Sequence, residues 1–309
     1  MTDLATLIEQ FCEYATHIKN YQPATVTRYR KVLTFFARHG DAAVLGQLTA
    51  EAIHSVFVYG RTERNWCAST YHNYYMTLSA FFRWCRQKGL MSTDPLKSID
   101  LPKLPQALPK SLTKQDAHTV LEVVQNDVYS HPFLRHRNYA IFHMFVLTGL
   151  RRSELLNLKL ADVDIENLAL YVRNGKNSKD RVLPISVELC QSLVRYLSQR
   201  KQLNKSSPYF FASFTMDTGF TVHGLEKLVR KLRSISGIEF HVHQFRHTFA
   251  TQMLEGGCDI YSLSRMMGHS DIKLTTIYLS ASVEHLRSQL HKHPMNTELA
   301  HPYPLDGVC

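Results

Sequence analysis

Apolar residues recur at helical spacing along most of the chain. In the first third, this pattern predicts helices over residues 4–16, after Pro23, after Thr49 and over 69–88. Gly89 follows the fourth stretch, where glycine suits a helix C-terminus. The fourth stretch carries an aromatic stripe, which we expect to face a protein core rather than to stack on bases.

Prolines interrupt the helical pattern about one third of the way along the chain. The stretch SIDLPKLPQALPKSLT (98–113) contains Pro102, Pro105 and Pro109, which disfavour helix, with lysines between them. This composition is typical of a linker between two domains. The predicted organisation is a helical domain (1–100), a proline-rich linker (101–112), a second domain (113–291) and a disordered tail (292–309).

The second half combines helices with one short extended region. Residues 168–173 alternate and are rich in branched and aromatic side chains, Asn174-Gly175 gives a turn signal, and 181–184 resumes the extended pattern. The expected element is a β-hairpin with the basic loop NGKNSKDR. Helices are predicted over 113–124, 137–148, 187–201, 222–235, 244–255, 259–267 and 271–277. The predicted fold class is therefore mainly α, with a helical first domain and an α+β second domain containing a small β-hairpin or sheet.

The charge balance favours a polyanionic partner. The formal net charge is +10, and residues 1–112 hold 13 Lys and Arg against 8 Asp and Glu, half of that excess. Positive charge on both domains fits nucleic acid as the partner, although many basic proteins bind no polyanion.

Several features favour a cytoplasmic protein without a membrane partner. The six cysteines form no closely spaced pair, which indicates a reducing compartment rather than a disulfide framework. The N-terminal sequence MTDLATLIEQF lacks a basic region, so no signal peptide is predicted. The longest apolar run, YAIFHMFVL, is too short to span a bilayer.

One stretch, HVHQFRHTFATQMLEGG (241–257), concentrates candidate chemistry. On a helix, His243, Arg246 and His247 share one arc, and Phe245 and Phe249 lie on the opposite side. A zinc site, a plain polar face and an anion site all fit such an arc. Arg246 would place a cation beside a metal and no HExxH glutamate is present, so an anion site fits better.

Three other segments hold residues that would be weak signals alone. Arg151 follows Gly149 at a predicted helix N-terminus, where backbone N–H groups favour an anion. Two lysines, Lys176 and Lys179, lie in the predicted hairpin loop. His269 closes a helix and Tyr278 follows nine residues later. A surface arginine, solvated lysines and a packing tyrosine would explain each segment separately.

Together the four segments resemble the tyrosine recombinase (phage integrase) family in its simple, two-domain, Xer-like form. The motifs TGLRxSEL, GKxxKxRxxP, HxxRHTFAT and GHxxxxxTTxY occur here in that family's order and spacing. The resemblance covers 113–291 strongly and the helical first domain more loosely. It implies the tyrosine recombinase fold, with a SAM-like N-terminal domain that binds the DNA core site.

The resemblance also implies roles for individual residues. The implied catalytic residues are Arg151, Lys176, His243, Arg246, His269 and Tyr278, with Glu154 and His247 in supporting positions. Tyr278 would attack a phosphodiester to give a 3′-phosphotyrosine, and Lys176 would protonate the departing 5′-oxygen. No metal, other cofactor or ATP is expected, because the arginines supply positive charge and the phosphotyrosine conserves the bond energy.

The implied partner is double-stranded DNA carrying specific recombination sites. The family pattern predicts a dimer on one site and a homotetramer on two duplexes, with exchange through a Holliday junction. A C-terminal helix over 280–291 would pack in cis or be passed to a neighbouring subunit. The alternatives are a DNA-relaxing enzyme of type IB topoisomerase chemistry and a catalytically silent DNA-binding relative. The short first domain argues against the former, and the filled catalytic positions argue against the latter.

Overall fold

The structure is a computed structural model, which describes residues 3–105, 109–173, 180–269 and 271–279. It divides into two compact units, Met1–Ala107 and Leu108–Cys309. The division lies between residues 107 and 108, inside the stretch predicted as a linker. Within the described ranges, no helix has both the length and the apolar character needed to cross a membrane.

The described residues of the first unit contain four α-helices, as the apolar pattern predicts. They are α1 (Leu4–His17), α2 (Pro23–His39), α3 (Ala50–Thr62) and α4 (Ala68–Gln87). Asp3 and Thr49 begin α1 and α3 by accepting backbone N–H groups from Thr6 and Ala52. Gly89 follows α4 with φ of +71°, the left-handed conformation that glycine adopts readily.

Aromatic side chains form the core of the first unit. Leu78, Phe81 and Phe82 on α4 are fully buried, so the aromatic stripe of this helix faces the core, as predicted. Phe57 of α3 stacks on Tyr71 of α4 with ring centroids 4.1 Å apart. Burial of these rings supplies the main stabilisation of the four-helix unit.

The second unit is built around one buried helix. Its helices are α5 (Lys114–Asn126), α6 (Pro132–Thr148), α7 (Arg152–Asn157), α8 (Val187–Gln202), α9 (Val222–Ser236), α10 (Val242–Glu255), α11 (Ile260–Met267) and α12 (Lys273–Thr276). α6 packs against α5, α8 and α10.

Two of the predicted helix limits in the second unit were wrong. α6 begins at Pro132, not at 137, because proline suits the first helical turn and the His131 ring accepts the Phe133 N–H at 3.0 Å. Arg137, where the predicted helix began, lies inside α6. Its guanidinium is buried, 4.1 Å from the Phe220 ring centroid. The helix predicted over 271–277 is shorter than expected and spans Lys273–Thr276, and the Asp271 carboxylate accepts the Lys273 N–H just before it.

A small antiparallel sheet lies beside the helices of the second unit. The strands β1 (Val163–Asp164), β2 (Ala169–Val172) and β3 (Arg181–Pro184) are adjacent in chain order, and Leu170 pairs with Leu183. The predicted hairpin strands are confirmed, but β1 was missed because two residues show no alternation. The loop over 174–179, with Lys176 and Lys179, lies outside the described residues.

Two apolar clusters support the second unit. The larger surrounds α6 and includes Phe245 of α10. The smaller one, called here the tyrosine cluster, contains Phe249, Ala250, Leu254, Leu263, Met267 and Tyr278. α10 contributes to both, so it connects the main core to the segment that carries Tyr278.

Candidate active site

Arg151 occupies the N-cap of α7, as predicted from the sequence. Gly149 ends α6 with φ of +61°, and a Cβ at this position would collide with the Phe249 ring. Glycine therefore permits both the left-handed turn and the close approach of α10. This turn connects the end of the buried helix α6 to Arg151 at the start of α7.

Glu154 lies between two arginines. It accepts from Arg151 Nη1 at 2.6 Å and from the Arg151 backbone N–H at 2.8 Å. Arg181 donates Nη1 and Nη2 to the same carboxylate at 3.0 and 2.8 Å. Burial alone would raise the pKa of Glu154, but the two guanidiniums outweigh it and hold the pKa at about 2. The carboxylate is therefore ionised at neutral pH and orients both arginines.

Arg181 was given no role by the sequence analysis. Besides Glu154, its Nε donates to the Met266 carbonyl at 2.8 Å, and only 9% of the side chain is exposed. It connects β3 with α7 and with the end of α11. The available signal was its place in the GKxxKxRxxP motif. We call Arg151, Glu154 and Arg181 the arginine–glutamate cluster.

Arg246 is buried, although the helical period placed it on the polar side of α10. Its Nη1 and Nη2 donate to the carbonyls of Gly149 and Met267, both at 2.6 Å. Burial and the neighbouring Arg151 lower its pKa to about 10, so the side chain remains a cation at neutral pH. Arg246 thereby joins α10 to the residues just before Arg151 and His269.

Of the two histidines that flank Arg246, His243 is exposed and His247 is partly buried. Burial and then Arg152, Arg246 and Arg151 lower the pKa of His243 below its ordinary value. Burial and then His243 and Arg246 lower the pKa of His247. Both rings are neutral at pH 7, and His247 Nδ1 lies 2.9 Å from the Tyr278 hydroxyl oxygen.

Tyr278 lies within the tyrosine cluster, with only 2% of its surface exposed. Burial raises its pKa, an effect that Arg246 and Arg151 partly offset. The hydroxyl is therefore protonated at neutral pH and needs a proton acceptor before it can act as a nucleophile.

His269 follows Gly268, which ends α11 with φ of +62°. Its Nδ1 lies 2.7 Å from the hydroxyl oxygen of Thr275, a fully buried residue that the sequence analysis did not single out. Burial and then Arg246, Arg151 and Arg181 lower the pKa of His269 to about 4. The ring is neutral at pH 7 and lies among the site's guanidinium groups.

Direct contacts connect several of the predicted site residues that the structure describes, and His243 lies near them, three residues before Arg246 on α10. Arg151 Nη2 donates to the Gly268 carbonyl at 3.2 Å, which links the first motif to the last. The ring of His241 contacts Arg233 Nη2 at 2.6 Å instead of these residues. Lys176 lies outside the described part of the chain. Across the described residues, no group of three or more His, Cys, Asp or Glu is placed to hold a metal ion.

A family model described as "Phage integrase family" matches residues 110–285, more than half of the chain. The chain belongs to the phage integrase family. A tyrosine recombinase XerC from Lactobacillus delbrueckii subsp. bulgaricus is 32% identical over 297 residues, covering 93% of this chain and 98% of that protein. A tyrosine recombinase XerA from Pyrococcus horikoshii is 38% identical, covering 70% of each chain. The integrase-family chain is thus an enzyme of the site-specific tyrosine recombinase class.

Solved structures show the same fold. A crystal structure of a XerA recombinase covers 94% of this integrase-family chain at 26% identity, with a TM-score of 0.53. A XerH recombinase bound to a palindromic difH substrate covers 93% at 20% identity, with a TM-score of 0.71. The tyrosine recombinase fold expected from the four motifs is therefore confirmed.

Proposed function

We propose that this enzyme recombines double-stranded DNA at specific sites, with Tyr278 as the nucleophile. The observation that carries the proposal is that α10, which carries the third motif, contacts residues in or beside the first and last motifs. Arg246 bonds the carbonyls of Gly149 and Met267, next to Arg151 and His269, while His247 contacts Tyr278. The assembled groups suit an anionic phosphodiester and an attacking phenol.

The proposed reaction is a phosphoryl transfer from the 5′-oxygen of DNA to the Tyr278 oxygen. The Tyr278 oxygen attacks phosphorus and the bond from phosphorus to the 5′-oxygen breaks, leaving a 3′-phosphotyrosine and a free 5′-hydroxyl. Arg151 and Arg246 stabilise the charge on the non-bridging oxygens without a metal. A 5′-hydroxyl from another strand reverses the step without ATP, which produces a Holliday junction and then recombinants for integration, excision or resolution.

The three histidines are proposed to accept the tyrosine proton and to bind phosphate. We assign the tyrosine proton to His247, because its Nδ1 lies 2.9 Å from the hydroxyl and its lowered pKa keeps it neutral. The His-x-x-Arg motif allows His243 to act as a proton acceptor or as a phosphate ligand, and we assign it to phosphate binding. His269 donates a hydrogen bond to a phosphate oxygen, and Glu154 orients Arg151 and Arg181 without transferring a proton.

Lys176 is proposed as the acid that protonates the departing 5′-oxygen, on the basis of its motif. Lys176→Ala should slow cleavage of an ordinary substrate much more than cleavage of one with a 5′-thiolate leaving group. A thiolate leaves without a proton, so only the oxygen substrate needs the lysine. Equal losses on both substrates would exclude Lys176 from the acid role.

The assembly on DNA is also a proposal. The first unit is proposed as the core-binding domain, and both units carry the net positive charge that phosphate contacts require. Two solved relatives fit this arrangement, since one is XerH bound to a difH substrate and another is a lambda integrase dimer bound to a COC' core site. We propose a dimer on one site and a homotetramer on two duplexes. Residues 280–291, predicted from the sequence as a helix that packs in cis or on a neighbouring subunit, and the predicted tail 292–309 lie outside the described residues.

A nicked suicide DNA substrate tests the nucleophile. The wild-type enzyme should form a covalent adduct that survives SDS, and Tyr278→Phe should form none, because phenylalanine lacks the attacking oxygen. Tyr261→Phe is the matched control, since Tyr261 lies on α11 and is 65% exposed. An adduct with Tyr278→Phe, or its loss with Tyr261→Phe, would contradict the assignment.

A further inference from the structure

Thr275 occupies an unusual position between the tyrosine and the second histidine. Its side chain is fully buried, and its hydroxyl oxygen lies 2.7 Å from His269 Nδ1. Its backbone carbonyl accepts the Tyr278 N–H at 3.0 Å. One residue therefore contacts both the candidate phosphate ligand and the backbone of the candidate nucleophile.

The direction of the hydrogen bond between Thr275 and His269 follows from burial. A buried hydroxyl hydrogen without an acceptor is costly, whereas an unfilled oxygen lone pair costs less. Within the described residues, His269 Nδ1 is the one hydrogen-bond partner of the Thr275 hydroxyl. If Nδ1 carried the proton, the hydroxyl hydrogen would have no acceptor among those residues. The hydroxyl therefore donates to Nδ1.

The neutral imidazole has one ring proton to place. Since Nδ1 accepts from Thr275, the proton must sit on Nε2. An Nε2–H group is a hydrogen-bond donor, which is what a phosphate oxygen requires. The opposite tautomer would offer that oxygen a lone pair, and the two would repel.

We propose that Thr275 is a positioning residue that holds His269 in the Nε2–H tautomer as a donor to the scissile phosphate. This inference rests on the proposed role of His269. Thr275 also lies three residues before Tyr278, in the same described segment 271–279. The segment that carries the nucleophile therefore also sets the proton position on a phosphate ligand, so its displacement would disable both.

The test compares variants that keep or remove the hydroxyl. Thr275→Val has nearly the same shape without the donor, and Thr275→Ser retains it. Thr276→Val is the matched control, because Thr276 is exposed and its hydroxyl donates to the Lys273 carbonyl. Single-turnover cleavage of the suicide substrate should slow about 10- to 100-fold for Thr275→Val, by analogy with the loss of a hydrogen-bond partner that orients a metal-ligating histidine. Thr275→Ser and Thr276→Val should stay within about threefold.

Two further measurements separate positioning from a general structural effect. Nitrogen-15 spectra of labelled histidines, with His269 identified by its loss in His269→Gln, should show the Nε2–H tautomer in the wild type. Thr275→Val should show a shift toward Nδ1–H. In a His269→Gln background, Thr275→Val should cause no further slowing.

An Nδ1–H signal for wild-type His269, or full additivity of the two substitutions, would overturn the proposal. If Thr275→Val fails to fold, the wild-type tautomer and the rate of Thr275→Ser still decide. Failure of the broader proposed function would be recognised separately, because wild-type enzyme would then form no adduct at Tyr278.

Discussion

The two sides of the candidate site are supported very differently. On one side, the arginine–glutamate cluster and Arg246 are held by charge-assisted hydrogen bonds to a buried carboxylate and to backbone carbonyls. On the other, Tyr278 rests in a small apolar cluster and its hydroxyl contacts one histidine. The charged side is therefore preorganised, as electrostatic stabilisation requires, whereas Tyr278, the proposed nucleophile, is held by interactions that are easier to break.

The largest expected effect comes from breaking the charged side. Glu154→Gln removes a buried carboxylate and leaves Arg181 and the partly exposed Arg151 without their anion, which should lower the free energy of unfolding by about 3–5 kcal/mol. Glu226→Gln is the matched control, because the Glu226–Arg152 pair is exposed and should change stability by less than about 1 kcal/mol. Urea denaturation at pH 7 measures both. A Glu154→Gln loss no larger than that of Glu226→Gln would contradict the preorganised cluster.

The pattern of apolar residues predicts most of this architecture. The first four helices follow from spacing and caps, and Arg151 follows from Gly149 at the end of an apolar helix. Arg246 shows the limit of such reasoning. Its neighbours in sequence predict a polar surface, but its burial depends on the carbonyls of Gly149 and Met267. Helical periodicity carries no information about contacts so far apart in the chain.

Supporting residues were harder to predict than the motif residues. Arg181 and Thr275 matter through contacts with Glu154 and His269, which only the folded chain brings together. The contact between His247 and Tyr278 was equally inaccessible, because 31 residues separate them. The motif resemblance supplied positions, and the folded arrangement supplied the hydrogen-bond partners that make proton roles specific.

A smaller effect is expected from weakening the tyrosine side. Leu263→Ala removes a fully buried side chain from the tyrosine cluster, at a cost of about 2–5 kcal/mol. Hydrogen exchange should accelerate at the amides of Thr275 and Tyr278, with little change at the buried amides of α6. Equal acceleration in both places would mean that the tyrosine side does not open separately.

Gly268→Ala probes the junction between the two sides. Gly268 has φ of +62°, and a Cβ there would lie 2.8 Å from Arg181 Nη1, so both strain and displacement of the arginine are expected. Gly237→Ala is the control, with φ of +69° and nothing within 4 Å. Both should lose about 1 kcal/mol of stability from the left-handed backbone, but only Gly268→Ala should slow adduct formation, by about tenfold or more. Equal rates of adduct formation by Gly268→Ala and Gly237→Ala would contradict the role of Arg181.

The mildest perturbation is pH. The pKa of His247 is lowered by burial and by the neighbouring His243 and Arg246, so the ring stays a neutral proton acceptor at pH 7. Single-turnover cleavage should therefore be insensitive to pH just above 6.5, and it should fall only as pH drops through the lowered pKa. DNA binding, measured in parallel, controls for altered affinity. An acid limb centred above pH 6.5 would contradict His247 as the acceptor.

The most direct measurement identifies the residue that becomes attached to DNA. Adduct from the wild-type enzyme and a suicide substrate would be digested and its nucleotide-bearing peptide sequenced by mass spectrometry. The account predicts a phosphodiester link on Tyr278, in the peptide that also contains Thr275. A link on Tyr261, or on any other residue, would contradict it.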